Sequence, residues 1–112
     1  MERGKDSGTR PYRQMSLLVS FGRAARAEFI EAAAWYEARH PNLGVEFIAE
    51  IDRCVALAAE QPQRFAIVHS GIRRVVAERF PYSVYYQAET RRIVVLAVFH
   101  VSRNPSIWQR RA

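Results

Sequence analysis

Histidine, cysteine and arginine are the side chains from which this 112-residue chain could build chemistry, and few of them sit in a supporting pattern. His100 stands near the end of a long apolar run. An imidazole there can hold a neighbouring backbone or side-chain group in position, or serve as general acid and base in RNA cleavage; the sequence leaves both open. His40 follows a helical pattern and reads as its cap, and His69 falls in a turn. Cys54 has no second cysteine to pair with, lies on an apolar helical stripe and reads as a buried structural thiol. Glu46, Glu50, Asp52 and Glu60 are spread along one helical stretch without a histidine partner, as on a solvated face. No lysine follows Lys5, so the folded part has no amine to tune into a general base, and arginine stays protonated. With no P-loop, GxGxxG, HExxH or cluster of Cys and His, neither a metal nor a cofactor is expected.

The charge is more informative than the motifs. Residues 1–14 carry +2, residues 15–63 carry −3 and residues 64–112 carry +7, within a net +6. A basic C-terminal half beside an acidic middle predicts a face that attracts an acidic partner, either nucleic acid or an acidic protein segment. A hydrophobic share of 49% excludes a disordered chain, and no apolar run approaches the ~20 residues that cross a bilayer. The lone cysteine and the lack of an apolar leader core point to a reducing cytoplasm.

The elements that must position these groups follow from period and punctuation. Residues 1–14 are polar and without period, and read as a flexible basic tail before a single domain over 15–112. Leu17 to Phe21 is short, apolar and ends at Gly22, which predicts a strand. Ala25, Phe29, Ala32, Ala33 and Tyr36 recur at helical steps up to Pro41, with Trp35 and Tyr36 expected in the core. Phe47, Ile48, Ile51, Cys54, Val55 and Ala58 define a second helix closed by Gln61-Pro62, and the short Pro41–Gly44 link predicts an antiparallel helical hairpin. Residues 64–68 form a loop or a short edge segment, then strands are expected over Ile72–Arg79, Tyr82–Ala88 and Ile93–Val101. Pro81 and the Glu89–Arg92 turn separate them. Tyr82, Val84 and Tyr86 should share one face, and the unbroken apolar IVVLAVFHV should be covered on both, by the hairpin and by the C-terminal tail or a partner. The class is α+β: a strand, a helical hairpin and a three-stranded antiparallel meander.

From about Met15 to Arg111 the sequence resembles the RelE/ParE superfamily of bacterial type II toxins, and within it the ParE-like, plasmid-stabilisation branch. Ala34-Trp35-Tyr36, Pro41-Asn42-Leu43-Gly44 before Phe47, and Arg79-Phe80-Pro81-Tyr82-Ser83-Val84-Tyr85-Tyr86 carry that resemblance. They are joined by Val94 to His100, Arg103, Pro105 and Trp108. It implies a small sheet with two helices on one face, and a cognate antitoxin, ParD-like or another small DNA-binding protein, whose C-terminal segment wraps the toxin in a hetero-oligomer. For the ParE-like branch it implies a binder of DNA gyrase without chemistry of its own; a toxin-like relative that has lost its target and only binds the antitoxin is a further alternative. Arg79, Arg103, Trp108, Arg110 and Arg111 are the expected target contacts, the last two and Trp108 as exposed anchors unless Trp108 folds back as a lid. For the ribonuclease branch it implies a catalytic arginine where this chain has Ser83, and lysines with no counterpart; Arg73, Arg74, His100 and Arg103 are the replacement set that branch would require.

Overall fold

The computed structural model describes residues 16–112; the expected tail over 1–14 and the start of the domain at Met15 lie outside the described residues. In order the chain forms β1 (Leu18–Phe21), α1 (Arg23–Arg39), α2 (Leu43–Glu60), β2 (Ile67–His69), β3 (Ile72–Val76), β4 (Tyr82–Ala88), β5 (Arg92–His100) and α3 (Ser106–Gln109). The α+β class and the two long helices stand as expected. Residues 67–69 prove to be a true edge strand, so the meander has four strands, and the C-terminal tail adds a short helix.

Glycine and a carboxylate together set the hairpin. Gly44, in the first turn of α2, sits so close to α1 that a Cβ there would lie 2.5 Å from the Ala33 carbonyl oxygen and 2.9 Å from Glu37 Cβ. Asn42 takes a left-handed conformation (φ 72°) and gives no side-chain cap. The Glu37 carboxylate, reaching over from α1, instead accepts the Asn42 N–H at 2.9 Å and the Gly44 N–H at 3.0 Å. The start of α2 is therefore capped by its neighbour, which fixes the link between the helices.

Below the hairpin lies a sheet of order β1-β5-β4-β3-β2, in which β1 runs parallel to β5 and every other pair is antiparallel. Phe47, fully buried, is the hub of the helix-side core: its ring centroid lies 5.0 Å from Tyr82, 5.2 Å from Tyr36, 5.3 Å from Phe80 and 6.1 Å from Phe29. Tyr82, Val84 and Tyr86 do share that face, and the Tyr86 hydroxyl donates to the Pro62 carbonyl at 2.9 Å, tying the end of α2 to the sheet. A bulge explains the unbroken apolar run of β5. Tyr85 pairs with Ala97 but Tyr86 with Val95, so Leu96 is an extra residue; Val95 and Val98 then face the helices while Leu96, Ala97 and Phe99 face away. Strand β3 ends at Val76, three residues short of the expected Arg79, because Arg79 adopts φ 70° in the turn before Pro81.

Two further expectations change. Trp35 is 53% exposed, and only its neighbour Tyr36 enters the core. Glu50 is not simply solvated: it accepts bonds from Arg53 at 2.7 and 2.9 Å and from the Glu78 N–H at 2.6 Å, linking α2 to the turn after β3. The Arg53 bond holds its pKa below the ordinary carboxylate value, against the desolvation that raises it. Cys54 is buried, as expected, and desolvation lifts its thiol pKa to about 11, which leaves it inert.

Two measurements bear on this frame. Gly44→Ala must push a methyl against a backbone carbonyl and should cost about 1–3 kcal/mol by urea denaturation; an unchanged midpoint would refute the close-approach account. Glu50, with its lowered pKa, contributes stability above its unfolded value of 4.5 that is lost as pH falls through the folded value. Glu50→Gln should therefore flatten the decline of stability below that pH, and a parallel decline in both proteins would remove Glu50 from the acid response.

Candidate functional site

Strand β1 stops opposite Val95, and among the described residues no strand neighbours residues 96–100 of β5 on that side. The last rung is the Gly22 N–H donating to the Val95 carbonyl at 2.9 Å. Side chains close the next part of the edge. The Glu28 carboxylate, from α1, accepts the Val98 N–H at 3.1 Å and both guanidinium nitrogens of Arg111 at 3.1 and 2.9 Å; Arg111 also donates to the Leu96 carbonyl at 3.0 Å. One carboxylate thereby joins the first helix, the bulged strand and the C-terminus.

Beyond this latch a cleft of about 510 Å³ opens between α1 and the ends of β4 and β5. Glu28, Glu31, Ala32, Trp35 and Tyr36 form its helical wall; Pro81, Tyr82, Val98, His100 and Arg103 form the other. Trp35 stands at the lip with the Arg39 guanidinium 4.0 Å over its ring. Burial raises the pKa of both Tyr36 and Tyr82, so both phenols stay protonated near neutrality. His100 packs edge-on to Tyr82 at 5.2 Å, and its Nδ1 accepts the Ser102 N–H at 3.0 Å. The second contact of Nδ1, 2.9 Å from the Ser102 hydroxyl, completes a local brace for the turn after β5, the positioning role open to this residue. An apolar floor, a strand edge, an exposed tryptophan and charges of both signs at the rim make a surface suited to seating a protein segment.

The residues singled out in the sequence scatter over the molecule. His100 and Arg103 share the cleft. Arg73 and Arg74 are consecutive on β3 and point to opposite faces; Arg73 pairs in register with Tyr86, four residues along β4 from the Tyr82 that faces His100, about 13 Å along the sheet. Arg73 is also tied down, donating to the carbonyls of Phe65 at 2.6 Å and Gln63 at 3.2 Å and to the Gln63 side chain at 2.8 Å. Arg79 forms an exposed pair with Glu46 at 2.7 Å, and Arg110 is exposed with its Nε on the Ser106 carbonyl.

Trp108 and Arg111 are not the exposed anchors expected of them. Trp108 is 4% exposed, stacked on Tyr85 at 4.0 Å and 19° on the face away from the helices, where it completes a second core with Ile72, Leu96 and Phe99. It is the lid over the sheet, and Arg111 is held by Glu28. Ser83, buried to 1% on that same face opposite Phe99, has no room for an arginine side chain without displacing its cover. Glu28 and Glu31 line the cleft without having been singled out, while Trp35, read as core rather than as half of a ligand-binding pair, and Tyr82, read only as a strand residue, line it as well. One signal was available: Glu28 lies three residues after Ala25 and four before Ala32, both buried, and a carboxylate on a buried stripe requires a partner.

Comparisons with known proteins agree with this architecture. The family model described as ParE toxin of type II toxin-antitoxin system, parDE, matches residues 19–105. A solved structure titled "Chromosomal ParDE TA system from P. aeruginosa" superimposes with a TM-score of 0.68 at 18% identity, covering 79% of this chain and 99% of that one. No curated protein matches the sequence.

Because Trp108 is interior, Trp108→Ala should cost about 3 kcal/mol of stability and Trp108→Phe much less, read by thermal or urea unfolding. A midpoint unmoved by the alanine would return Trp108 to the list of surface anchors.

Proposed function

The chain belongs to the ParE toxin family of type II toxin–antitoxin systems, and from that membership we propose that it is the toxin of such a pair, inhibiting DNA gyrase and neutralised by a cognate antitoxin. The family match runs from β1 to the turn before α3, so it takes in the sheet, the helical hairpin and every wall of the cleft. Placement of the four ribonuclease candidates favours a binder over a nuclease. Arg73 is occupied by backbone carbonyls, Arg74 points to the opposite face, and only His100 and Arg103 meet. Buried Ser83 stands where the ribonuclease branch would carry its arginine.

The cleft is the seat for the antitoxin, and it is the observation that carries this half of the reading. A C-terminal segment of a ParD-like or other small DNA-binding antitoxin can lie along the β5 edge, place an apolar side chain against Trp35 and Tyr36, and meet His100 and Arg103 with an acidic one. Such a segment orders on binding, and the resulting hetero-oligomer is more stable than the toxin alone. Arg79, Arg103 and Arg110, all exposed, are the contacts proposed for the target complex, while Trp108 and Arg111 act by holding α3 on the sheet.

With purified gyrase, saturating protein should block supercoiling and accumulate cleaved plasmid, and equimolar antitoxin should restore activity. Unaltered gyrase together with ribosome-dependent cuts in messenger RNA would reverse the reading. Trp35→Ala should weaken antitoxin binding by about 2 kcal/mol, roughly thirtyfold, and leave gyrase inhibition in place; equal loss of both would move the antitoxin off this cleft.

A further inference from the structure

Acidic and basic side chains divide between the two sides of this molecule. Among residues 16–112, acidic side chains occur on α1, on α2 and in the two turns that hold Glu78 and Glu89; no strand carries one, and neither does any residue after β5. On the sheet face turned away from the helices, Arg74 stands on β3 in register with Tyr85. Arg103 lies 4.3 Å over the ring of Phe99, and Arg110 follows Trp108, which is stacked on Tyr85. All three arginines are exposed, and among the described residues none is paired with a carboxylate.

We propose that this helix-free face binds duplex nucleic acid through its phosphates, and that in the target complex it meets the DNA held by gyrase; the second clause rests on the function proposed above. An acidic peptide has the same sign of charge, but affinity for a peptide needs an apolar groove or a free strand edge beside the charges. Here the apolar centre of the face is already covered by the chain's own Trp108, packed on Tyr85 among Ile72, Leu96 and Phe99. What remains outside is a set of separate guanidinium groups around a closed aromatic centre. Each guanidinium offers a planar fork that matches two phosphate oxygens, and a backbone of regularly spaced phosphates needs no pocket. The apolar groove and strand edge that suit a peptide lie on the other side, in the cleft beside α1; the edge nearer Arg74 is that of β2, only three residues long. The two partners can therefore approach from different sides of one sheet, with Arg103 at the border between them.

Fluorescence anisotropy of the purified full chain with a labelled duplex of arbitrary sequence, between about 50 and 200 mM salt, tests the first clause. The Arg74→Gln/Arg110→Gln protein should bind at least tenfold more weakly and show a salt slope shallower by about 1.8, the loss of two phosphate contacts. Arg23→Gln/Arg26→Gln removes the same charge from exposed positions on α1 and should change affinity less than twofold. Equal weakening by the two pairs would reduce the effect to net charge and overturn the site. Capture of poly-glutamate in preference to duplex would replace nucleic acid by an acidic peptide and overturn it too. Gyrase separates the two clauses. If Arg74→Gln/Arg110→Gln inhibits gyrase as well as the parent does, the DNA contact in the target complex is refuted and the gyrase reading stands. If the parent binds duplex at this face without inhibiting gyrase, the phosphate site stands and the gyrase reading fails.

Discussion

One carboxylate holds the two sides of this molecule in register. Glu28 projects from the apolar stripe of α1 to the edge of β5 at the point where β1 has ended, and there it takes the Val98 N–H and both arms of Arg111. A strand edge that loses its neighbour leaves amide groups that must find partners or stay in water, and a carboxylate with four acceptor sites can take several. Because Arg111 also bonds the Leu96 carbonyl, the bulged residue of β5 and the C-terminus are fixed by the same group. Trp108, three residues earlier, then lies flat on Tyr85, and the second core closes. Remove the carboxylate and the Val98 amide loses its partner, while the partly buried Arg111 guanidinium that anchors α3 keeps only the Leu96 carbonyl.

The sheet has two cores because it has two covers of different kinds. A long helical hairpin covers one face, centred on Phe47 and locked by the approach of Gly44 to α1. A four-residue helix carrying a single tryptophan covers the centre of the other. The larger cover leaves a cleft where α1 passes the unpaired end of β5; the smaller one leaves arginines exposed around its rim. An apolar cleft with a strand edge suits a folding peptide, and exposed arginines suit a polyanion, so two partners of different chemistry need not compete for one surface. In a domain of this size, with little interior to spare, two thinly covered faces leave two surfaces of different chemistry.

Much of this was legible beforehand because it rests on local pattern. Helical steps through Ala25, Phe29, Ala32 and Tyr36, and again through Phe47, Ile51, Cys54 and Ala58, placed both long helices and the hairpin. Strict alternation put Tyr82, Val84 and Tyr86 on one face, which the structure shows to be the helix side. Legibility failed where two patterns overlapped. Nothing local distinguishes Trp35 from Tyr36, adjacent aromatics on one helix, yet only Tyr36 reaches Phe47 and Trp35 stays outside. Short β2 was ambiguous because three residues carry no period, and the loss of Arg79 from β3 follows from a left-handed turn conformation that arginine does not announce.

The sequence by itself determined the class, the order of the main elements and the asymmetry of charge, since each depends on neighbours in the chain or on composition; the toxin family came through resemblance of its motifs. Only the tertiary structure decided that β1 pairs with β5, that Glu28 and Arg111 meet, and that Trp108 is interior. Those facts join residues more than seventy positions apart or turn on which face a bulge presents, and no period in the chain encodes either. His100 and Arg103 were near each other in sequence and proved near in space, whereas Arg73 and Arg74, equally basic and adjacent, were separated by the pleat of β3. Spacing along the chain could nominate the basic groups, but only the pairing of the strands could say which of them act together.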